Sequence, residues 1–176
     1  LEEHRNEFLT LCFGPAREPM DRFYRLLDGS NRPRLSRDFL GRLYRTTAEA
    51  MNQTPDDPDV RARITDLILY IRHVELYRTY AAARGRERQE AYEALIRHAY
   101  RIRRSGMVHS YALYRDLANR DKSVSPPPEA AWNVPEPRNP WKSSEPFGEQ
   151  EVRSILEAGL NHNPVLEIQP TLFPGP

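Results

Sequence analysis

Residues 7–27, EFLTLCFGPAREPMDRFYRLL, decide the fold class of this chain. Phe8, Leu9, Leu11 and Cys12 supply apolar positions before the joint Phe13-Gly14-Pro15-Ala16, and Pro19, Met20, Phe23, Leu26 and Leu27 recur at helical spacing after it. Gly14 can take the positive φ that ends a helix. Pro15 can open the next one, where its missing N–H is no loss. Two amphipathic helices meeting at a tight corner are therefore expected.

Working outward, Gly29-Ser30-Asn31-Arg32-Pro33 reads as a turn, and Ser36 can cap a third helix with Phe39, Leu40, Leu43 and Met51 on its apolar face. Pro55-Asp56-Asp57-Pro58 stops it. A long helix from Asp59 carries Val60, Ile64, Leu67, Ile71, Val74 and Ala81 in steps of four and three, a seam suited to a bundle, and Gly85 ends it. A fifth helix from about Glu87 to Arg104 buries Tyr92, Leu95, Ile96, Ala99 and Ile102. Ser105-Gly106 separates it from a sixth, Met107 to about Ala118. Long elements with short connectors predict an all-α antiparallel bundle of about six helices over residues 1–121.

After Asp121 the grammar changes. Eleven of the sixteen prolines lie from Pro126 onward, and SPPPEAAWNVPEPRNPW cannot sustain a helix or a central strand. Residues 122–146 are expected as an extended segment lying on the bundle, anchored by Trp132 and Trp141. Residues 147–176 read as one short helix, with Val152, Ile155 and Leu156 apolar and Gly159 near its end. The start of a strand at Val165–Ile168 follows, which needs a sheet to pair with.

Composition excludes some partners. Formal net charge is +1; of 26 basic residues only Lys122 and Lys142 are lysine, and arginine and acidic residues are interspersed. That is no nucleic-acid footprint. No apolar run reaches the roughly 20 residues needed to span a bilayer, and the N-terminus LEEHRNEF has no signal-peptide pattern. Cys12 is the sole cysteine and lies in an apolar helical stretch, so no disulfide forms within the chain. The compartment stays open. Helical periodicity already running at the first residues, without a cap, suggests a segment of something longer.

No catalytic signature accompanies the fold: there is no phosphate loop, no nucleophile elbow, and no pair of carboxylates that spacing singles out. Tyr70, His73, Tyr77 and Tyr80 share one stripe of the long helix, with Arg84 extending it. The stripe serves either interhelical packing or the stacking of sugar rings or bases, with the phenol hydroxyls as polar anchors. His98, Arg101 and His109 flank the Ser105-Gly106 turn with Glu93 nearby, but their spacing matches no metal motif, so neither metal nor cofactor is expected. The run Tyr100-Arg101-Ile102-Arg103-Arg104 fits the C-terminal turn of a helix, where positive charge is favourable.

Three stretches carry a likeness: FGPAREPMDRFYRLL (13–27), ELYRTYAAARGRERQEAYEALIRHAYRIRRSGMVHSYALYRDL (75–117) and NPWKSSEPFGEQEVRSILEAGLNHNP (139–164). Together they resemble the C-terminal helical region of large bacterial glycoside-hydrolase-like proteins with an uncharacterised domain. Their architecture is related to that of alpha-glucuronidases and beta-hexosaminidases. The likeness covers most of residues 7–164.

The resemblance implies a small α/β domain and a catalytic (β/α)8 barrel upstream of Leu1, in a parent whose export to the periplasm or cell exterior stays open, with the catalytic acids on the barrel's C-terminal face. No family catalytic residue falls on this chain. It is then a non-catalytic accessory domain that packs on the barrel, walls its substrate cleft or forms a homodimer surface. Tyr70, His73, Tyr77, Tyr80, Arg101, His109, Trp132 and Trp141 are the candidate sugar-contacting residues. The alternative is a freestanding helical protein-interaction module working through the tyrosine stripe.

Overall fold

The computed structural model describes residues 2–28, 34–128, 131, 133–139 and 146–162. Among these the chain is all-helical, with no strand. The expected strand at Val165–Ile168 and both tryptophans lie outside the described residues. The helices are α1 (Glu2–Phe13), α2 (Arg17–Leu26), α3 (Arg37–Gln53), α4 (Pro58–Ala82), α5 (Gly85–Arg101), α6 (Ser110–Arg120) and α7 (Glu149–Leu160). The chain divides into two compact units, Leu1–Ile68 with Arg153–Pro176, and Leu69–Val152.

In the first unit the corner between α1 and α2 is a single 3-10 turn, Gly14–Ala16, with Gly14 at φ 48°. That positive φ is the conformation a residue with a Cβ resists, so glycine is required where the chain reverses. The turn folds α2 back along α1, and Arg5 Nε donates to Asp21 Oδ1 at 2.7 Å while Arg25 Nε donates to Oδ2. Between the polar pairs Leu9, Phe13, Ala16, Met20 and Phe23 are buried. α2 packs on α3, whose buried face carries Leu40, Leu43 and Tyr44. Removing each large apolar side chain from water stabilises the fold by roughly 1.5–3 kcal/mol, well above the few tenths that helix propensity contributes per residue. Ser36 caps α3 as expected, its Oγ accepting from the Phe39 N–H at 3.0 Å.

Glycines on α3 and α7 permit close approach. A Cβ on Gly41 would meet the His162 carbonyl oxygen at 2.8 Å, and one on Gly159 would overlap the Tyr44 ring. Tyr44 is wholly buried, with the His162 ring 6.0 Å away edge to face.

In the second unit Tyr80, Tyr92, Leu95, Ile96 and Val124 form the core, with Leu76, Leu113, Leu117 and Ala118 packed around them. Gly106, at φ 72°, turns the chain between α5 and α6. Gly85 also has a positive φ, but it stands as the first residue of α5 and not as the end of α4. The last carbonyls of α4 are instead met by Arg88 and Arg84, whose Nη1 atoms donate to Tyr80 O at 2.9 Å and Ala81 O at 3.4 Å, and Arg84 also caps the following Ala83 O at 2.9 Å. Beyond α6, Gln89 holds Ser125 by both backbone groups. Its Nε2 donates to Ser125 O at 2.7 Å and its Oε1 accepts from Ser125 N at 3.0 Å.

The expected seam on α4 is buried at Val60, Ile64, Leu67 and Ile71, but Val74 is only half-buried and Ala81 is exposed, while Ile68 and Leu69 are buried as well. Three successive buried residues cannot share one face of a helix, so the middle of α4 is enclosed and not amphipathic.

Candidate functional site

Tyr70, His73 and Tyr77 stand three and four residues apart on α4, which sets them on one face. Across from them α6 presents Leu113, Asp116, Leu117 and Arg120 at the same helical spacing, and the turn before α6 supplies Met107, Val108 and His109. Together these residues line a groove of about 420 Å³ within the second unit. Tyr77 is 43% exposed at its rim. The groove thus brings together four of the residues marked by the sequence: Tyr70, His73, Tyr77 and His109. Asp116 and Arg120, absent from that expectation, complete the wall. Their signal was the i, i+4 recurrence of Ala112, Asp116 and Arg120 along α6, legible only once α6 is known to face Tyr70 and Tyr77.

His109 is committed on one side. It is the N-cap of α6, with Nδ1 accepting from the Ala112 N–H at 3.2 Å, so the ring enters the groove in a fixed orientation. His73 is different: its Nδ1 is buried and has no hydrogen-bond partner among the described residues. Burial lowers the pKa of His73, which keeps the imidazole neutral at pH 7.

Behind the groove the rings continue inward. Tyr70 stacks with His73 at 6.4 Å, His73 with His98 at 6.3 Å, and His98 meets Phe147 at 5.0 Å. His98 is buried and lies 2.9 Å, through Nε2, from the Leu69 carbonyl oxygen; a carbonyl can only accept, so Nε2 carries the proton. Desolvation pulls its pKa down to about 4, against the smaller opposing effect of that carbonyl. Glu93, expected near this cluster, is instead held by Gln89 Nε2 at 2.7 Å.

Tyr80 and Arg101 do not enter the groove. Tyr80 is 3% exposed in the core, and its hydroxyl donates to Asp121 Oδ2 at 2.6 Å. Arg88 Nε donates to the same oxygen at 2.6 Å, with its guanidinium 4.3 Å above the Tyr80 ring, and Ser123 Oγ donates to Asp121 Oδ1 at 2.6 Å. Hydrogen bonds from Ser123, Tyr80 and Arg88 hold the Asp121 carboxyl well below the usual carboxylate range. Arg101 grips Glu151 at 2.9 and 2.8 Å through its two terminal nitrogens and covers the Phe147 ring at 3.7 Å. Trp132 and Trp141 lie outside the described residues.

Among the described residues no group of three or more His, Cys, Asp or Glu could hold a metal ion. No described helix is long and apolar enough to cross a membrane. No family model, curated protein or solved structure matches the chain.

Proposed function

We propose that this chain is a non-catalytic helical accessory domain of a larger bacterial carbohydrate-active protein of the glycoside-hydrolase-like kind, supporting a barrel domain or its substrate cleft. In this reading consecutive helices within each unit run antiparallel. The observation that carries the proposal is the groove in which Tyr70, His73 and Tyr77 of α4 meet His109. An aromatic-walled surface with a few hydrogen-bonding tips suits a wall beside a saccharide cleft better than it suits a reaction centre. The three stretches that resemble such proteins agree with it. Sequencing the gene upstream of the codon for Leu1 is the test. A (β/α)8 barrel with facing carboxylates is expected there, and a start codon within a few residues overturns the reading.

The exposure of Phe8 and Leu11 on α1, 45% and 75%, favours a second reading, a protein-interaction module. Light scattering on the purified chain separates the two. Concentration-dependent self-association abolished by Leu11→Glu supports the module, and a monomer at all concentrations counts against it as a homodimer.

A further inference from the structure

We infer that the groove between α4 and α6 binds a neutral saccharide ring, its C–H face resting on Tyr77 and Tyr70 and its hydroxyls meeting His73 and His109. The inference rests on the accessory-domain reading and names the ligand class of that site. The groove's volume of about 420 Å³ falls within the roughly 300–1,000 Å³ of small-ligand sites.

Its chemistry matches a polyol. A sugar hydroxyl both donates and accepts, and it is best met by groups that do the same. Phenols and neutral imidazoles are such groups; carboxylates and guanidinium ions are not. Neither Tyr70 nor Tyr77 spends its hydroxyl on another described residue, and the unpartnered Nδ1 of His73 leaves that ring's tautomer unfixed by the protein. His73 can therefore present either a donor or an acceptor to a hydroxyl. His109, whose Nδ1 must accept from the Ala112 N–H, carries its proton on Nε2 when neutral and offers a donor.

Met107, Val108, Leu113 and Leu117 supply the apolar contacts that C–H groups require. The charged groups argue for a neutral ring. Asp116 is paired with Arg115 Nε at 2.9 Å, and Arg120 is exposed. Among the described residues that line the groove the one Arg, Arg120, is exposed, so no buried cation is set there to hold a carboxylate or phosphate.

The test is isothermal titration of the full chain with cellohexaose, xylohexaose and chitohexaose, with hexagalacturonate as the acidic comparison, at low and high salt. Binding to at least one neutral oligosaccharide is expected, insensitive to salt. Tyr77→Ala, at a half-exposed rim position, should weaken it about tenfold or more. Tyr77→Phe, which keeps the ring, should retain most of it, and both variants should melt like the parent chain. Neutral-sugar binding that survives Tyr77→Ala, no binding of any neutral oligosaccharide, or a preference for hexagalacturonate that collapses in high salt would each overturn the groove assignment. None of these touches the accessory-domain reading, which the upstream gene sequence decides independently.

Discussion

Gly159 on α7 presses its backbone against the ring of Tyr44 on α3 and leaves no room for a Cβ. Tyr44 is wholly buried, so the ring cannot step aside into solvent. Gly159→Ala gains about 1 kcal/mol of helix propensity, but an overpacked methyl costs about 1–3 kcal/mol. The clash here is with a fixed aromatic ring, so the upper part of that range applies and the variant is less stable. Gly148→Ala is the contrast: the nearest atom to its Cβ is an exposed Glu151 oxygen at 3.9 Å, and stability should hardly change. Urea unfolding of the two variants checks both expectations.

Tyr80→Phe removes one hydrogen bond from Asp121 and leaves the aromatic ring in the core. The carboxylate keeps Arg88 and Ser123, so the loss should be about 1 kcal/mol. Asp121→Ala should be worse, because Tyr80 and Arg88 both lose their acceptor. The lowered carboxyl pKa gives the sign of the pH dependence. Stability from this group is present above the ordinary carboxylate pKa and is lost only as pH falls below it. Thermal melts of wild type and Asp121→Ala should therefore converge in strong acid.

His98 acts in a higher pH window. Its folded pKa, down to about 4, lies below the ordinary 6.5, so the unfolded chain takes up the proton first. Stability is full above pH 6.5 and falls progressively towards pH 4, by up to about 3 kcal/mol from this residue. His73 is shifted in the same direction by burial and adds to the slope. His98→Gln keeps a donor for the Leu69 carbonyl and does not titrate. Hydrogen exchange of the α5 amides across this window should be markedly flatter in the variant.

Arg101→Lys is not a mild change. The guanidinium makes two parallel bonds to Glu151 and lies flat on Phe147, and an ammonium can do neither at once. Glu151 is half exposed, so the loss should be modest, about 1 kcal/mol or less. The measurable sign is local: faster amide exchange in the first turn of α7, with α5 unchanged.

The helical class was legible because the information is local. Gly14 at the corner, Ser36 as a cap and Gly106 at a turn each act through neighbouring residues and take the expected place, whereas Pro15 opens only the 3-10 turn and α2 begins at Arg17. The middle of α4 was less legible. A 4–3 seam accounts for Ile64, Leu67 and Ile71, whereas Ile68 and Leu69, off that seam, are buried too. The tyrosine stripe shows the same limit. Helical spacing puts Tyr80 in line with Tyr77, but Asp121, 41 residues on, takes the Tyr80 hydroxyl into the core. Tyr70, His73 and Tyr77 meet His109 because of how α4 and α6 pack, which no periodicity encodes.

Gln89 gives Ser125 the two bonds that a neighbouring β-strand would give. The next three residues, Pro126, Pro127 and Pro128, have no N–H to extend such a ladder. An extended chain normally exposes a row of donors and acceptors on which a second extended chain can nucleate. Here the row is filled by a side chain at its first position and stripped of donors at the next three. This stretch offers no template for edge-to-edge growth, and the protein carries its own guard against aggregating through it.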